Sequence, residues 1–167
     1  MKLLILVRHA KSSWEDLSLS DFDRPLNDRG KKDGPKMARR FKERNITPDL
    51  LYSSPAKRAL KTCKIFAETL KLPNSIIQSD ESLYHADAEK LLGLCRKLKD
   101  KQNVVLVFGH NPGLTEFTNL IAGENLLNIP TCGIAAVRFR VKNWKDISPA
   151  KGKLEFFDFP KKNKRKE

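Results

Sequence analysis

Five consecutive apolar residues, Leu3-Leu4-Ile5-Leu6-Val7, stop abruptly at Arg8-His9-Ala10. A run that short, with no polar residue on either face, reads as a strand buried on both sides, as a parallel sheet covered by helices requires. Open α/β sheets place ligands at the carboxyl ends of their strands, where this chain delivers a cation and an imidazole. An arginine forks onto phosphate oxygens and a histidine offers a nitrogen nucleophile, so the pair has the chemistry to hold and attack a phosphoryl group. Strands also end commonly in charged residues, and a lone histidine is often structural. The pair therefore needs partners elsewhere in the chain.

The remaining sequence alternates short apolar runs with helical periodicity, the pattern of an α/β domain with a largely parallel sheet. Residues 11–27 are polar and long for a connection in a small domain, which marks a functional or mobile loop. Leu26-Asn27 reads as a staple residue and N-cap before a helix carrying Met37, Ala38 and Phe41 on one face, with Gly34-Pro35 expected to kink or delay it. Leu50-Leu51-Tyr52 reads as a short strand. Ser53-Ser54-Pro55 then forms its exit, with Ser54 as N-cap and Pro55 as the first residue of a helix whose buried stripe is Ala56, Leu60, Cys63, Phe66/Ala67 and Leu70. Arg58 falls in the first turn on another side. A third helix is expected over 88–98, with Leu91, Leu92, Cys95 and Leu98 inward. Val104 to Phe108 is a strong strand that runs into Gly109-His110-Asn111-Pro112-Gly113. Leu114, Phe117, Leu120 and Ile121 mark a fourth helix, and 133–140 and 152–159 read as a closing, hairpin-like pair of strands.

Length bounds the domain count. With 167 residues and 40% hydrophobic content, the chain has one well-cored domain, expected over 1–160. No apolar stretch approaches a membrane-spanning length, and the first run is shorter than a signal peptide's apolar region, so a cytoplasmic protein without membrane attachment is expected. Cys63, Cys95 and Cys132 are odd in number and widely spaced, which signals neither a disulfide framework nor a zinc site. The net charge of +13 favours phosphorylated or polyanionic partners, yet residues 161–167 alone carry five positive charges and one negative. That run reads as a solvated, flexible tail, and no aromatic interleaving or nucleic-acid motif accompanies it.

Arg8-His9, Arg58 and His110 thus each follow a predicted strand closely, and in a parallel sheet such ends lie side by side. Two arginines and two imidazoles converging there suit a dianionic phosphoryl group, and phosphoryl transfer asks for little beyond positioning and electrostatics. Backbone N–H groups of the Ser54-Pro55 helix start and the Asn111–Gly113 turn are further candidate donors. Arg8-His9-Ala10 resembles the R-H-G/A signature of the histidine phosphatase superfamily, which includes the phosphoglycerate mutases. The resemblance continues in order through residues 23–30 (Asp-Arg-Pro-Leu-Asn-Asp-Arg-Gly), 53–62 and Gly109-His110-Asn111-Pro112-Gly113, spanning about residues 3–140. The short length, the Arg-Pro-Leu-Asn segment and the run Leu83-Tyr84-His85-Ala86 are most similar to the SixA-type phosphohistidine phosphatases.

The resemblance implies a three-layer αβα sandwich with a mostly parallel central sheet and an antiparallel edge strand. It makes His9 the nucleophile, gives Arg8 and Arg58 to the phosphoryl oxygens, and has His110 complete the pocket. Arg24 and Asn111 are candidates for substrate or phosphate contact. No cofactor or metal is implied. The glutamate that many members supply as proton donor is not at its usual place, near His85; His85, Glu81 and Asp87 are the candidates for that role. A serine alkoxide must be protonated to leave, whereas an imidazole, with a pKa of about 6.5, departs easily. The missing acid therefore points to phosphohistidine on a protein as substrate. Phosphoserine, phosphothreonine or a small phosphate ester is the alternative. A non-catalytic binder of phosphoprotein or nucleic acid would need the arginines and not both histidines, and a metallohydrolase built on His9, His85 and His110 lacks metal-site spacing and a carboxylate partner.

Overall fold

The computed structural model describes residues 1–162; the basic run expected as a tail falls, from residue 163 on, outside the described residues. Six strands form one sheet: β1 (Lys2–Arg8), β2 (Leu50–Ser53), β3 (Ile77–Ser79), β4 (Val104–Gly109), β5 (Ile134–Phe139) and β6 (Lys153–Asp158). Their order is β3-β2-β4-β1-β5-β6. β1 to β4 run parallel, and β5 is reversed between β1 and the edge strand β6. The helices are α1 (Asp28–Lys42), α2 (Lys57–Thr69), α3 (Ala88–Arg96) and α4 (Gly113–Ala122).

The apolar run of β1 behaves as a strand buried on both faces must. Leu3, Ile5 and Val7 pack with Met37, Phe41 and Phe66 of α1 and α2, while Leu4 and Leu6 pack with Leu91, Leu114 and Phe117 of α3 and α4. Each such side chain contributes roughly 1.5–3 kcal/mol when fully buried, so the strand anchors both layers of an αβα sandwich. Among the described residues, no helix is long and apolar enough to cross a membrane.

Several local expectations are corrected. α1 runs unbroken through Pro35. The ring removes one donor to a carbonyl a turn earlier, but burial of Met37, Ala38 and Phe41 on the sheet offsets that loss, and Gly34 lets Ile65 of α2 approach to 3.0 Å from where a Cβ would stand. α2 begins at Lys57 after Ala56, two residues later than Ser54-Pro55 would start it, because the buried Ser54 hydroxyl accepts from Ala56 N and faces a histidine instead of opening a helix. α3 ends at Arg96, leaving Leu98 half-buried beyond it. Leu60, Leu70 and Leu120 are likewise half-buried at the margins of their stripes. The three-residue β3, with two exposed positions, carries too little apolar pattern to be legible. Asn27 does cap α1, accepting from Gly30 N at 2.8 Å. The three cysteines are buried and free.

Candidate active site

Sheet register builds the site. Arg8 of β1 lies opposite Gly109 of β4, so His9 and His110 leave neighbouring parallel strands at the same level, with ring centroids 5.3 Å apart. Ser53 of β2 lies opposite Phe108, which brings the Ser54 hydroxyl within 2.8 Å of His110 Nε2. Arg58, in the first turn of α2, is buried between the two rings. Its Nε donates to His9 Nε2 at 3.4 Å and its Nη2 stands 3.3 Å from His110 Nδ1. One turn later, Thr62 Oγ1 accepts from Ala10 N at 3.0 Å and donates to Arg58 O at 2.8 Å, which fixes the end of β1 against α2.

His9 Nδ1 lies 2.8 Å from Ala10 O. A carbonyl only accepts, so Nδ1 carries the proton and Nε2 keeps its lone pair on the side facing Arg58. Burial is the main cause that pushes the His9 pKa down to about 4; the Ala10 carbonyl opposes this, and Arg58, Arg8 and Arg24 add to it. Burial also lowers His110 to about 3, aided by His9, Arg58 and His85 and opposed by Asp21. Both rings are thus neutral and available at physiological pH. Because their folded pKa values lie below about 6.5, the unfolded chain binds more protons as pH falls, and the protein loses stability on acidification through that window. In 15N-detected imidazole spectra at about pH 5.5, His9 and His110 are expected to be neutral, with His9 protonated on Nδ1; a charged ring there contradicts this electrostatic reading.

Arg8 supplies the second cation. Its Nη1 donates to Ile129 O at 2.9 Å, while its buried Nε has no hydrogen-bond partner. Burial, then the Arg58 charge, lowers its pKa. An unsatisfied guanidinium N–H beside a second arginine calls for an anion, since leaving such a donor buried and unpaired is costly.

Two residues to which the sequence gives no role complete the surroundings. Asp21, in a single helical turn over Asp21–Asp23, accepts from Arg58 Nη2 at 3.0 Å, from the Tyr84 hydroxyl at 2.6 Å and from Arg24 Nη1 at 3.0 Å, and its backbone carbonyl accepts from Arg58 Nη1 at 2.6 Å. Burial raises its pKa, but the Tyr84 hydroxyl and the two arginines outweigh that and hold it at about 2. A lone carboxylate in a polar stretch has no periodicity, so nothing in the sequence separates Asp21 from Asp16 or Asp23. Tyr84 stands edge-on to His110, with centroids 5.4 Å apart. Its position follows from the turn over Glu81–Leu83 and the buried Leu83, which no local signal announces.

A histidine phosphatase superfamily (branch 1) model matches residues 4–103. The chain belongs to this superfamily. An uncharacterized chloroplastic protein of Arabidopsis thaliana is 31% identical over 157 residues, covering 89% of this chain and 72% of that protein. Phosphoserine phosphatase 1 of Hydrogenobacter thermophilus is 34% identical over 90 residues, covering 50% of this chain and 42% of that enzyme. The crystal structure of a protein assigned as phosphohistidine phosphatase SixA from Agrobacterium tumefaciens superposes with a TM-score of 0.79 at 28% identity, over 95% of this chain and 98% of that one. The fold is therefore that of SixA and of phosphoglycerate mutase-like proteins, and members of this superfamily are phosphatases or mutases.

Within the superfamily framework, the four residues expected at the centre, Arg8, His9, Arg58 and His110, are neighbours. The others lie elsewhere. Arg24 is buried and engaged by its own loop: its Nε donates to Ser13 O at 3.1 Å, Nη2 pairs with Ser12 Oγ, and the guanidinium stacks 3.3 Å from the Trp14 ring. It braces residues 11–27, donates to Asp21, and adds its charge to those that lower the His9 pKa. Asn111 is likewise spent on structure, donating to Asn128 Oδ1 and Ile129 O and accepting from Thr115 N and Oγ1. Asp87 caps α3 through Lys90 N. Glu81 is exposed on its turn. His85 is exposed in a left-handed backbone conformation (φ 60°), with its ring 3.8 Å from that of Tyr84 and 6.5 Å from that of His110, so it borders the site. Among the described residues, no group of three or more His, Cys, Asp or Glu side chains is arranged to hold a metal ion.

Proposed function

We propose that this chain is a metal-independent phosphatase that carries the phosphoryl group transiently on His9 Nε2, and that phosphohistidine on a protein is its substrate. The observation that carries this reading is the state of His9: a buried neutral ring with its proton committed to Ala10 O, so that the unprotonated Nε2 faces the Arg58 guanidinium at 3.4 Å. In the first step the Nε2 lone pair forms a bond to phosphorus while the bond from phosphorus to the substrate imidazole breaks. The departing nitrogen keeps the electron pair and takes a proton from solvent. Water then attacks the phosphoryl group, the P–Nε2 bond breaks, and inorganic phosphate leaves with His9 restored. Arg8 and Arg58 balance the charge on the equatorial oxygens, and His110 hydrogen-bonds to them in the transition state.

The charge states of the surrounding groups support an easy leaving group. Asp21 is held ionised at about 2, and burial, followed by the bond to Asp21, raises the Tyr84 phenol above its ordinary value, so neither is suited to protonate a serine alkoxide. His85 is the remaining candidate donor at the rim. Exposed apolar side chains on the flanking segments, Trp14, Leu17, Leu19 and Leu127, favour a macromolecular substrate over a small ester. The buried free thiols suit the reducing cytoplasm proposed for the reaction.

The test is a panel of a phosphohistidine protein, a phosphoserine peptide and p-nitrophenyl phosphate, with chelator present. The phosphohistidine protein is expected to be turned over with a kcat/KM about 10²–10⁴-fold above that of the phosphoserine peptide, the range a missing general acid accounts for. A phosphoserine rate that equals or exceeds it overturns the substrate assignment and favours the ester reading.

A further inference from the structure

A groove of about 360 Å³ lies between the first turn of α1 and the first two turns of α2, with an apolar floor that includes Leu26 and Leu60 and walls of Lys31, Lys57, Lys61 and Lys64. Lys57, Lys61 and Lys64 follow a helical spacing of four and three along α2, so they line one stripe with Leu60 among them. Lys31 faces them from α1. All four lysines are exposed, and none belongs to an ion pair among the described residues. The groove adjoins the site in sequence through α2, where Lys57 immediately precedes Arg58.

We infer that this groove docks an acidic segment of the phosphoprotein substrate that carries one apolar side chain. Four unneutralised ammonium groups around a greasy floor complement carboxylates flanking an aliphatic or aromatic residue. A bare polyanion would gain from the lysines and nothing from the floor. A segment seated there lies close to the phosphate pocket, so docking raises the effective concentration of the phosphorylated residue at His9 without touching the chemistry. The inference rests on the phosphoprotein reading, and its test separates the two.

The probe is a fluorescein-labelled Glu-rich peptide with a single central Leu and no phosphate, whose binding to the full chain is followed by anisotropy. Its competitors are the same peptide with the Leu replaced by Gly and an RNA oligonucleotide of matched charge. The double variant K31E/K61E reverses one charge on each wall. It is expected to weaken the peptide about tenfold, as two reversed surface ion pairs predict, and to lower kcat/KM for an acidic phosphohistidine protein by a similar factor through KM. Turnover of p-nitrophenyl phosphate is expected to stay at the wild-type value. Loss of the Leu is expected to weaken the peptide. Unchanged peptide binding in K31E/K61E, or RNA that binds as tightly as the peptide and displaces it, overturns the inference. If no phosphohistidine protein is hydrolysed while the peptide still binds in a lysine-dependent and Leu-dependent way, the substrate reading fails and the groove stands.

Discussion

Replacing His9 by Ala is expected to lower turnover by about four to six orders of magnitude, as removal of a nucleophile does, and to erase an acid-labile phosphoenzyme that brief exposure of the wild type to 32P-labelled substrate traps. The size follows from the division of labour in the site. Arg8 and Arg58 polarise and hold a phosphoryl group, but neither guanidinium offers a lone pair, and His110 faces Ser54 Oγ with one nitrogen and Arg58 Nη2 with the other. His9 Nε2 is unprotonated, because Nδ1 carries the proton to Ala10 O, and the contact it accepts from Arg58 Nε is long at 3.4 Å, so its lone pair can be turned to phosphorus. Far-UV circular dichroism and a thermal melt distinguish chemistry from misfolding, because the variant removes a ring from the mouth of the sheet and leaves the β1 core intact. Turnover by His9→Ala near the wild-type rate sinks the proposed intermediate, and so does a wild-type enzyme that carries no label at rapid quench.

The second large effect is expected from Arg58→Ala, a loss of about 10²–10³ in kcat/KM, the range seen when a preorganised donor to transition-state charge is removed. Arg58 is the hub of the site: one buried guanidinium reaches His9, His110, and both the carbonyl and the carboxylate of Asp21. Its removal deletes a cation and frees the Asp21 segment together. Asp21 remains paired with Arg24 and Tyr84, so no buried charge is orphaned and the fold is expected to survive. Arg58→Lys restores charge without the planar fork and is expected to recover less than about tenfold of the loss. A change below about threefold in Arg58→Ala, with the melt unaltered, is incompatible with the role given to it here.

The run Leu3 to Val7 and the run Val104 to Phe108 declared two buried strands because every position in each is apolar, and the stripe Met37, Ala38 and Phe41 declared a helix face turned to the sheet. Arg8-His9, Arg58 and His110 are legible because each closely follows a predicted strand and sits within motifs whose order resembles a known family. Asp21 and Tyr84 carry no such signal of a role. Asp21 acquires its role from Arg58, thirty-seven residues away, and Tyr84 from Asp21, sixty-three residues away. Arg24 and Asn111, which the motifs offer as substrate or phosphate contacts, are bonded to neighbouring loop atoms here, because whether a polar side chain faces a pocket or a neighbouring loop is set by the path of that loop.

The sequence by itself determined which segments must be buried and which residue types arrive at strand ends, since apolar periodicity is a property of a single segment and its transfer from water. Only the tertiary structure decided that Arg8 pairs in register with Gly109, that Ser54 meets His110, that Pro35 is carried inside a continuous helix, and that four lysines from two helices rim one groove. Those facts depend on alignment between segments distant in the chain. A shift of one residue in register turns every side chain to the opposite face, so the pairing of His9 with His110 is written in the packing of the sheet and not in either strand alone.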